Sequence, residues 1–198
     1  MISRRQSLQR LTRTGVGATA ASASLSAVLW HTPAFATQFL DLAQAQKLLL
    51  PQAQTFAPLA WALDAALLTE LAAASQSQIP RGYAPSGWSG AVDGKRVGWV
   101  LFDRAIGKYE LIDYAMGFMV DGTSTGLEVM AYRESHGAEI RNAAWRKQFA
   151  GRKGAGQLRF GDDIRNISGA TLSCQHVTQG AQRLGVLAQW LSQDKIKA

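Results

Sequence analysis

The sequence predicts an α+β fold, a single domain in which an antiparallel sheet meander lies between flanking helices. Apolar runs rich in valine and aromatic residues fill the middle of the chain. The connections between them are short and contain glycine, so they are too short for the crossovers that parallel strands need. Helical periodicity occurs on either side of these runs. The 198 residues include one cysteine, Cys174, so no internal disulfide forms and this residue is predicted to be a small buried filler.

The first 36 residues are predicted to be a signal peptide rather than part of the fold. Arg4 and Arg5 lie in a short segment that resembles a twin-arginine export motif, and a weakly apolar run follows. This run ends at Ala34-Phe35-Ala36, which predicts cleavage before Thr37. The predicted boundaries are therefore 1–36 for the twin-arginine signal and 37–198 for the folded domain. The protein is expected in the periplasm, or associated with the membrane if the leader is retained as an anchor.

Removal of this leader changes the charge of the protein. The full chain has a net charge of +7, but four of its 21 basic residues lie in the leader. The remaining 17 basic residues face 14 acidic ones, a net charge of +3. No basic run interleaved with aromatic residues occurs in the sequence, which argues against nucleic acid as a partner. Beyond the leader there are two histidines, His136 and His176, which give little basis for a metal site.

Two helices are predicted at the start of the mature chain. Helical spacing of leucine and alanine predicts a short helix over Phe39–Leu50 and a longer one over Phe56–Ala74. The segment Ile79–Gly90, rich in glycine and proline, is predicted to be a loop. Two aromatic residues in this loop, Tyr83 and Trp88, are expected either in the core or its rim, or against the ring of a bound ligand.

Three strands are predicted next, over Arg96–Asp103, Glu110–Val120 and Leu127–Arg133. Turns at Gly107 and at Asp121-Gly122 separate them, so neighbouring strands should pair antiparallel. The third strand leads into a polar loop that contains glycine, and a loop at a strand end is a common place for a binding site.

The stretch that carries the predicted chemistry is Ser168-Gly169-Ala170-Thr171. Its small residues allow the backbone to approach a bulky ligand closely. An amphipathic helix follows, and the free N–H groups and positive dipole at a helix N-terminus suit a phosphate. Thr171 and Ser173 are predicted caps, and their hydroxyls are also potential attachment points. The buried stripe of this helix is predicted to be Val177, Ala181, Leu184, Leu187, Ala188 and Leu191.

These residues resemble the flavinylation motif of the FMN-binding domain family, which includes exported electron carriers and the covalent-flavin subunits of sodium-pumping NADH:quinone reductase and its ferredoxin-linked relatives. The segment Glu134–Gly137 is similar to the family loop that lies against the flavin. The turn at Gly107-Lys108 and the spacing through Trp145 to Thr171 are also similar. The resemblance implies FMN attached covalently through its phosphate to the Thr171 hydroxyl by a dedicated flavin transferase.

Further site residues follow from the resemblance. Arg165 stands where the family usually has an acidic residue, and Asp162 and Asp163 lie slightly upstream. Trp145 and the polar loop are candidates for tuning the flavin. The complete set of implied cofactor-binding residues is Thr171, Ser168, Gly169, Ala170, Ser173, Glu134, Ser135, His136, Gly137 and Trp145.

Several of these residues also have an ordinary structural interpretation. Glu134 could pair with Arg133 or Arg141 at the surface, an interaction worth little. His136 in a glycine loop is typical of a solvated turn. Trp145 stands four residues before an aromatic residue on a short helix predicted over Asn142–Gln148, a spacing typical of core packing.

No G-x-G-x-x-G motif and no evident acid–base pair occurs in the sequence, so we predict a redox carrier rather than an enzyme that transforms a substrate. The expected function is a periplasmic flavoprotein electron carrier between a membrane-bound reductase and an extracytoplasmic acceptor. The protein is expected to be a monomer. Two alternatives remain open: an FMN-containing sensory or regulatory module without redox activity, and a small-ligand binding protein that has lost the flavin.

Overall fold

The computed structural model of the protein describes residues 37–196. The predicted signal peptide, 1–36, lies outside the described residues. In chain order the strands and α-helices are β1 (Thr37–Gln38), α1 (Leu42–Leu49), β2 (Thr55–Pro58), α2 (Ala65–Ser75), β3 (Ser86–Val92), β4 (Lys95–Ile106), β5 (Leu111–Met119), β6 (Ser124–Tyr132), α3 (Ala143–Arg146) and α4 (Thr171–Ser192).

The strands form one six-stranded sheet in the order β1-β6-β5-β4-β3-β2, and every neighbouring pair is antiparallel. Strands β3 to β6 follow each other as a meander, as their short connections require. In the connection between β4 and β5, the Gly107 N–H donates to the carbonyl of Glu110 at 2.7 Å. The predicted α+β class and antiparallel meander are confirmed.

Helices cover both faces of the sheet. The long helix α4 lies on one face, and all six residues of its predicted stripe are buried there with Trp99, Tyr114 and Phe118 of the strands. Helix α1 lies on the other face, where Ala45, Leu49 and Leu50 pack against Val100 and Ala115. Within residues 37–196, no helix is both long and apolar enough to span a membrane.

The helix predicted over Phe56–Ala74 is wrong in its first half. Thr55–Pro58 instead pairs with β3 as an edge strand, and α2 begins only at Ala65. The Asp64 side chain caps α2 by accepting from the Leu67 N–H at 2.8 Å, so the chain starts a new helix at this position. Of the leucines at helical spacing, Leu59 and Leu63 therefore precede the helix, and Leu67 and Leu71 lie in it.

The loop predicted over Ile79–Gly90 contains the start of β3, which the sequence did not indicate. The small residues of β3 have low strand propensity, but close packing requires them. A Cβ on Gly87 would lie 2.7 Å from Leu101 Cδ2, and one on Gly90 would lie 3.0 Å from the Ala53 Cβ. Close neighbours, rather than strand propensity, therefore explain the composition of β3.

Candidate functional site

The N-terminus of α4 is open to solvent. Thr171 is the first helical residue and is exposed, and Ala170 occupies the N-cap position with no side-chain capping bond. The first turn contains no acidic residue. The initial N–H groups of the helix therefore keep their hydrogen-bonding capacity, and the positive end of the dipole is not neutralised from within this turn. The prediction that Thr171 or Ser173 caps the helix is wrong, because both lie inside its first turn.

The turn before α4 presents the Thr171 hydroxyl outward. Gly169 has a φ of +88°, and a Cβ there would meet nothing within 4 Å, so glycine serves the backbone conformation rather than close packing. Ser168 is exposed, whereas Ala170 is buried. The Asn166 side-chain amide donates to Thr171 Oγ1 at 2.9 Å, which orients this oxygen.

The polar loop after β6 packs directly against the start of α4. Gly137 has a φ of +87°, and a Cβ at this position would lie 2.6 Å from the Tyr132 hydroxyl, 3.2 Å from Ser173 Oγ and 3.5 Å from Ala170 Cα. The hydroxyls of Tyr132 and Ser173 are 3.2 Å apart, and the Tyr132 hydroxyl also donates to the His136 carbonyl. The fold thus brings together Gly137, Ala170 and Ser173, three of the residues that the resemblance implied for the site.

Glu134 holds the tip of the β4–β5 hairpin. Its Oε1 accepts from the N–H groups of Tyr109 at 2.5 Å and Glu110 at 2.9 Å. Partial burial raises the pKa of Glu134, but backbone donors of Glu110, Tyr109 and Lys108 outweigh it and hold the pKa below its usual value. A surface pair with Arg133 does not form, because Arg133 binds Asp113 at 2.7 Å.

This role of Glu134 had one signal in the sequence, the glycine at position 107. A Cβ on Gly107 would lie 2.6 Å from Glu134 Oε1, so the carboxylate can reach the turn only because this residue has no side chain. Glycine at the turn and glutamate after the next strand therefore form one structural unit. The resemblance implied a ligand contact for Glu134, and in the structure one oxygen of its carboxylate accepts from backbone N–H groups.

His176, one of the two histidines that suggested no site, ties α4 to the same hairpin. Its Nδ1 lies 2.6 Å from the carbonyl oxygen of Ile106 and 3.2 Å from that of Gly107, so a proton on Nδ1 is donated there. His136 and Ser135 are exposed and contact each other, with Ser135 Oγ 3.0 Å from His136 Nδ1. They form the solvated turn considered as the ordinary interpretation.

Trp145 belongs to the core. It is 3% exposed, and its ring lies edge-on to Phe149 with the centroids 5.0 Å apart. Its indole Nε1 donates to the Arg165 carbonyl at 2.8 Å, which anchors the segment that leads to Thr171. Trp145 therefore positions this segment from within the core, and its ring has almost no face exposed for a ligand.

The two acidic residues before this turn, Asp162 and Asp163, are both paired with Arg159. Both carboxylate oxygens of Asp163 accept from the guanidinium of Arg159, at 2.9 and 3.3 Å, and this partner holds the pKa of Asp163 below its usual value. Asp162 lies 3.6 Å from the same arginine. Arg165 is exposed beside them. In the part of the chain that the structure describes, no cluster of three or more metal-ligating side chains occurs.

The residues of this site fall within a match to a known protein family. The sequence model of the FMN-binding domain family matches residues 107–184, which contain the hairpin tip, the loop after β6 and the N-terminus of α4. Among solved structures, the crystal structure of Shewanella oneidensis NqrC matches with 17% sequence identity and a TM-score of 0.49, covering 72% of this chain and 85% of that one. No curated protein matches the chain. Residues 107–184 therefore belong to the FMN-binding domain family.

Proposed function

We propose that this protein is a periplasmic electron carrier whose FMN is attached through its phosphate to Thr171. It passes electrons from a membrane-bound reductase to an extracytoplasmic acceptor. The observation that carries the proposal is the exposed Thr171 hydroxyl at the first residue of α4, beside N–H groups that no side chain caps.

Attachment at this residue suits the charge of a phosphodiester. The linkage keeps one negative charge, which the N–H groups and the dipole at the start of α4 stabilise. Ser173 is in the same turn, but it is 5% exposed and its hydroxyl contacts Tyr132. Thr171 is therefore the hydroxyl of this turn that a transferase can reach.

Several contacts fix the segments around Thr171 in place. A redox cofactor needs such fixed surroundings, because they set its reduction potential. Glu134 and His176 fix the β4–β5 hairpin tip, and Gly137 lets the loop after β6 pack on the helix start. Bound FMN supplies the electron-transfer chemistry, and the protein's part is to position it and to control its access to water. Covalent attachment also prevents loss of a cofactor that is scarce outside the cytoplasm.

The surroundings of Thr171 are better suited to an electron carrier than to an enzyme. The carboxylate of Glu134 and the imidazole of His176 both contact backbone groups, so neither is poised to exchange a proton with a substrate. The partners proposed here, a flavin transferase, a membrane-bound donor and an extracytoplasmic acceptor, follow from the carrier role.

The test is the intact mass and visible spectrum of the protein after co-expression with a flavin transferase. We expect the wild type to be yellow and to carry one FMN, and Thr171→Ala to carry none. Thr69→Ala, which removes an exposed threonine hydroxyl on α2, is the matched control and should be fully loaded. An uncoloured wild type, or pigment that survives in Thr171→Ala, would contradict the proposal.

The proposed location rests on Arg4, Arg5 and the Ala34-Phe35-Ala36 segment. Replacing Arg4 and Arg5 together by lysine should leave the protein in the cytoplasm, as measured by cell fractionation. Periplasmic protein in this double variant at the wild-type level would contradict export by the twin-arginine route.

A further inference from the structure

Helix α1 covers only one half of its face of the sheet. Its last residue, Leu49, is so close to β5 that a Cβ on Gly117 would lie 2.8 Å from Leu49 Cβ. Leu50 packs in the same way on β4, where a Cβ on Gly98 would lie 3.0 Å from Leu50 Cδ2. Strand β4 continues to Ile106, and beyond this contact the side chains on the same face become half-buried or exposed. The half of the face next to the β4–β5 hairpin is therefore open to solvent.

The register of β4 with β5 arranges this open half in three rows of facing residues. The rows are Phe102 with Ala115, Arg104 with Asp113, and Ile106 with Leu111. Because alternate residues of a strand share a face, all six side chains lie on the same face as Val100, which packs under α1. Successive rows are about 7 Å apart along the strands. A charged row thus lies between two apolar rows.

The apolar row nearest to α1 is the widest. Trp88 of β3 extends it on one side, and its ring meets that of Phe102 edge-on with the centroids 4.9 Å apart. Met130 of β6 extends it on the other side, and both Phe102 and Met130 pack against the cluster under α1. All three side chains are half-buried, so they are held in place and still present apolar surface to a ligand. From β3 to β6 this surface is about 14 Å wide.

The charged row has a surplus of positive charge. Asp113 accepts from Arg133 at 2.7 Å and lies 3.2 Å from Arg104 Nε, so one carboxylate faces two guanidinium groups. Arg133 also donates to the Leu111 carbonyl at 3.1 Å. Arg104 meets Asp113 through Nε, and 70% of its side chain is exposed, so the terminal nitrogens of its guanidinium face solvent. Arg104 is therefore the group that an anion can reach.

The size of the open half favours a small molecule over a protein partner. It is four strands wide and extends about 14 Å along β4, an area on the order of 200 Å². A stable protein–protein interface needs about 800 Å² from each partner. A single extended chain can cover the apolar row and reach the charged one.

We propose that the open half of the sheet binds a small molecule with an apolar chain and one terminal carboxylate. The chain lies across Trp88, Phe102 and Met130, and the carboxylate accepts from the guanidinium of Arg104, whose planar donors match it. Helix α4, which begins at Thr171, covers the opposite face of the sheet. The binding site is therefore separate from the proposed flavin attachment.

The test uses the full chain expressed without a flavin transferase and three probes. Decanoate has the chain and the carboxylate, decanol has the chain without the charge, and acetate has the charge without the chain. Titration calorimetry below the micelle-forming concentration measures each affinity. We expect decanoate to bind at least about tenfold more tightly than decanol, the effect of one charge-assisted hydrogen bond, and acetate not to bind measurably. Equal affinities for decanoate and decanol, or no binding of decanoate, would overturn the proposal.

Arg104→Gln removes the proposed anion contact and should lower the affinity for decanoate to that for decanol. The matched control is Arg96→Gln, which removes an exposed arginine at the other end of the same strand and should leave the affinity for decanoate unchanged. An equal loss in both variants would show a general effect of net charge and would overturn the role of Arg104.

A second readout places the chain. Decanoate brominated on its chain should quench tryptophan fluorescence, and Trp88→Phe should lose most of this quenching while keeping an aromatic ring in the apolar row. Quenching that is unchanged in Trp88→Phe would mean that the chain binds elsewhere, and would overturn the site.

A final measurement separates this site from the flavin. Protein loaded with FMN should keep its affinity for decanoate. Loss of decanoate binding on loading would mean that the flavin occupies the open half of the sheet, and would overturn the assignment of a separate site. Failure of flavin attachment itself leaves the measurements on unloaded protein, and hence this inference, intact.

Discussion

Replacing Gly137 by alanine should disrupt the contact between the loop after β6 and the start of α4. The residue has a φ of +87°, a left-handed conformation that costs a side-chain-bearing residue about 1–2 kcal/mol. The new Cβ would also lie 2.6 Å from the Tyr132 hydroxyl, so this hydroxyl must move away from the His136 carbonyl that it binds. Loss of that hydrogen bond costs about 1 kcal/mol more.

The expected loss of unfolding free energy is thus about 2–3 kcal/mol. Urea denaturation of the flavin-free protein, followed by circular dichroism, measures it. The matched control is Gly151→Ala, where φ is +75° but the added Cβ would meet nothing within 4 Å. This control carries the conformational cost of about 1–2 kcal/mol alone.

Equal losses in the two variants would refute the packing argument, because strain would then explain both. A second readout concerns function. Displacement of the loop disturbs the backbone around Ala170, so Gly137→Ala should be loaded with FMN less completely than Gly151→Ala. Equal loading would show that this contact does not shape the attachment site.

Three further predictions concern other contacts. The pKa of Glu134 is lowered, so its stabilising effect is complete above its usual value of 4.5 and is lost as the pH falls through the lowered value. The urea midpoints of wild type and Glu134→Gln should therefore differ at pH 7 and converge as Glu134 becomes protonated in acid; a difference that does not shrink as the pH falls would contradict this. Burial raises the pKa of Cys174, so its thiol should resist iodoacetamide in the native protein and react in urea, as measured by mass; rapid native labelling would contradict the buried position. Trp145→Phe removes the donor to the Arg165 carbonyl, so it should lower the free energy of unfolding by at least about 1–3 kcal/mol and also lower FMN loading. The control Trp61→Phe removes a similar bond to the Pro85 carbonyl and should leave loading unchanged. Equal loading of the two variants would contradict a positioning role for Trp145.

Prediction from the sequence succeeded where one element buries a regular stripe. The apolar positions of α4 and the strong strands β4 and β5 were recognised because period and turn signals agree there. It failed at β2 and β3, whose small or isolated apolar residues carry no clear period. These strands exist because they extend a sheet that is already formed, and their local sequence prefers no single structure.

The same division applies to the candidate site. The residues of the turn before α4 by themselves indicated the glycine conformation and the helix that follows, and the family resemblance indicated Thr171 as the proposed attachment point. The tertiary structure decided what Glu134, His176 and Trp145 do, because each binds a backbone group from a distant part of the chain. Which carbonyl or N–H group lies opposite a side chain depends on how strands and helices pack, and no local pattern of residues contains that information.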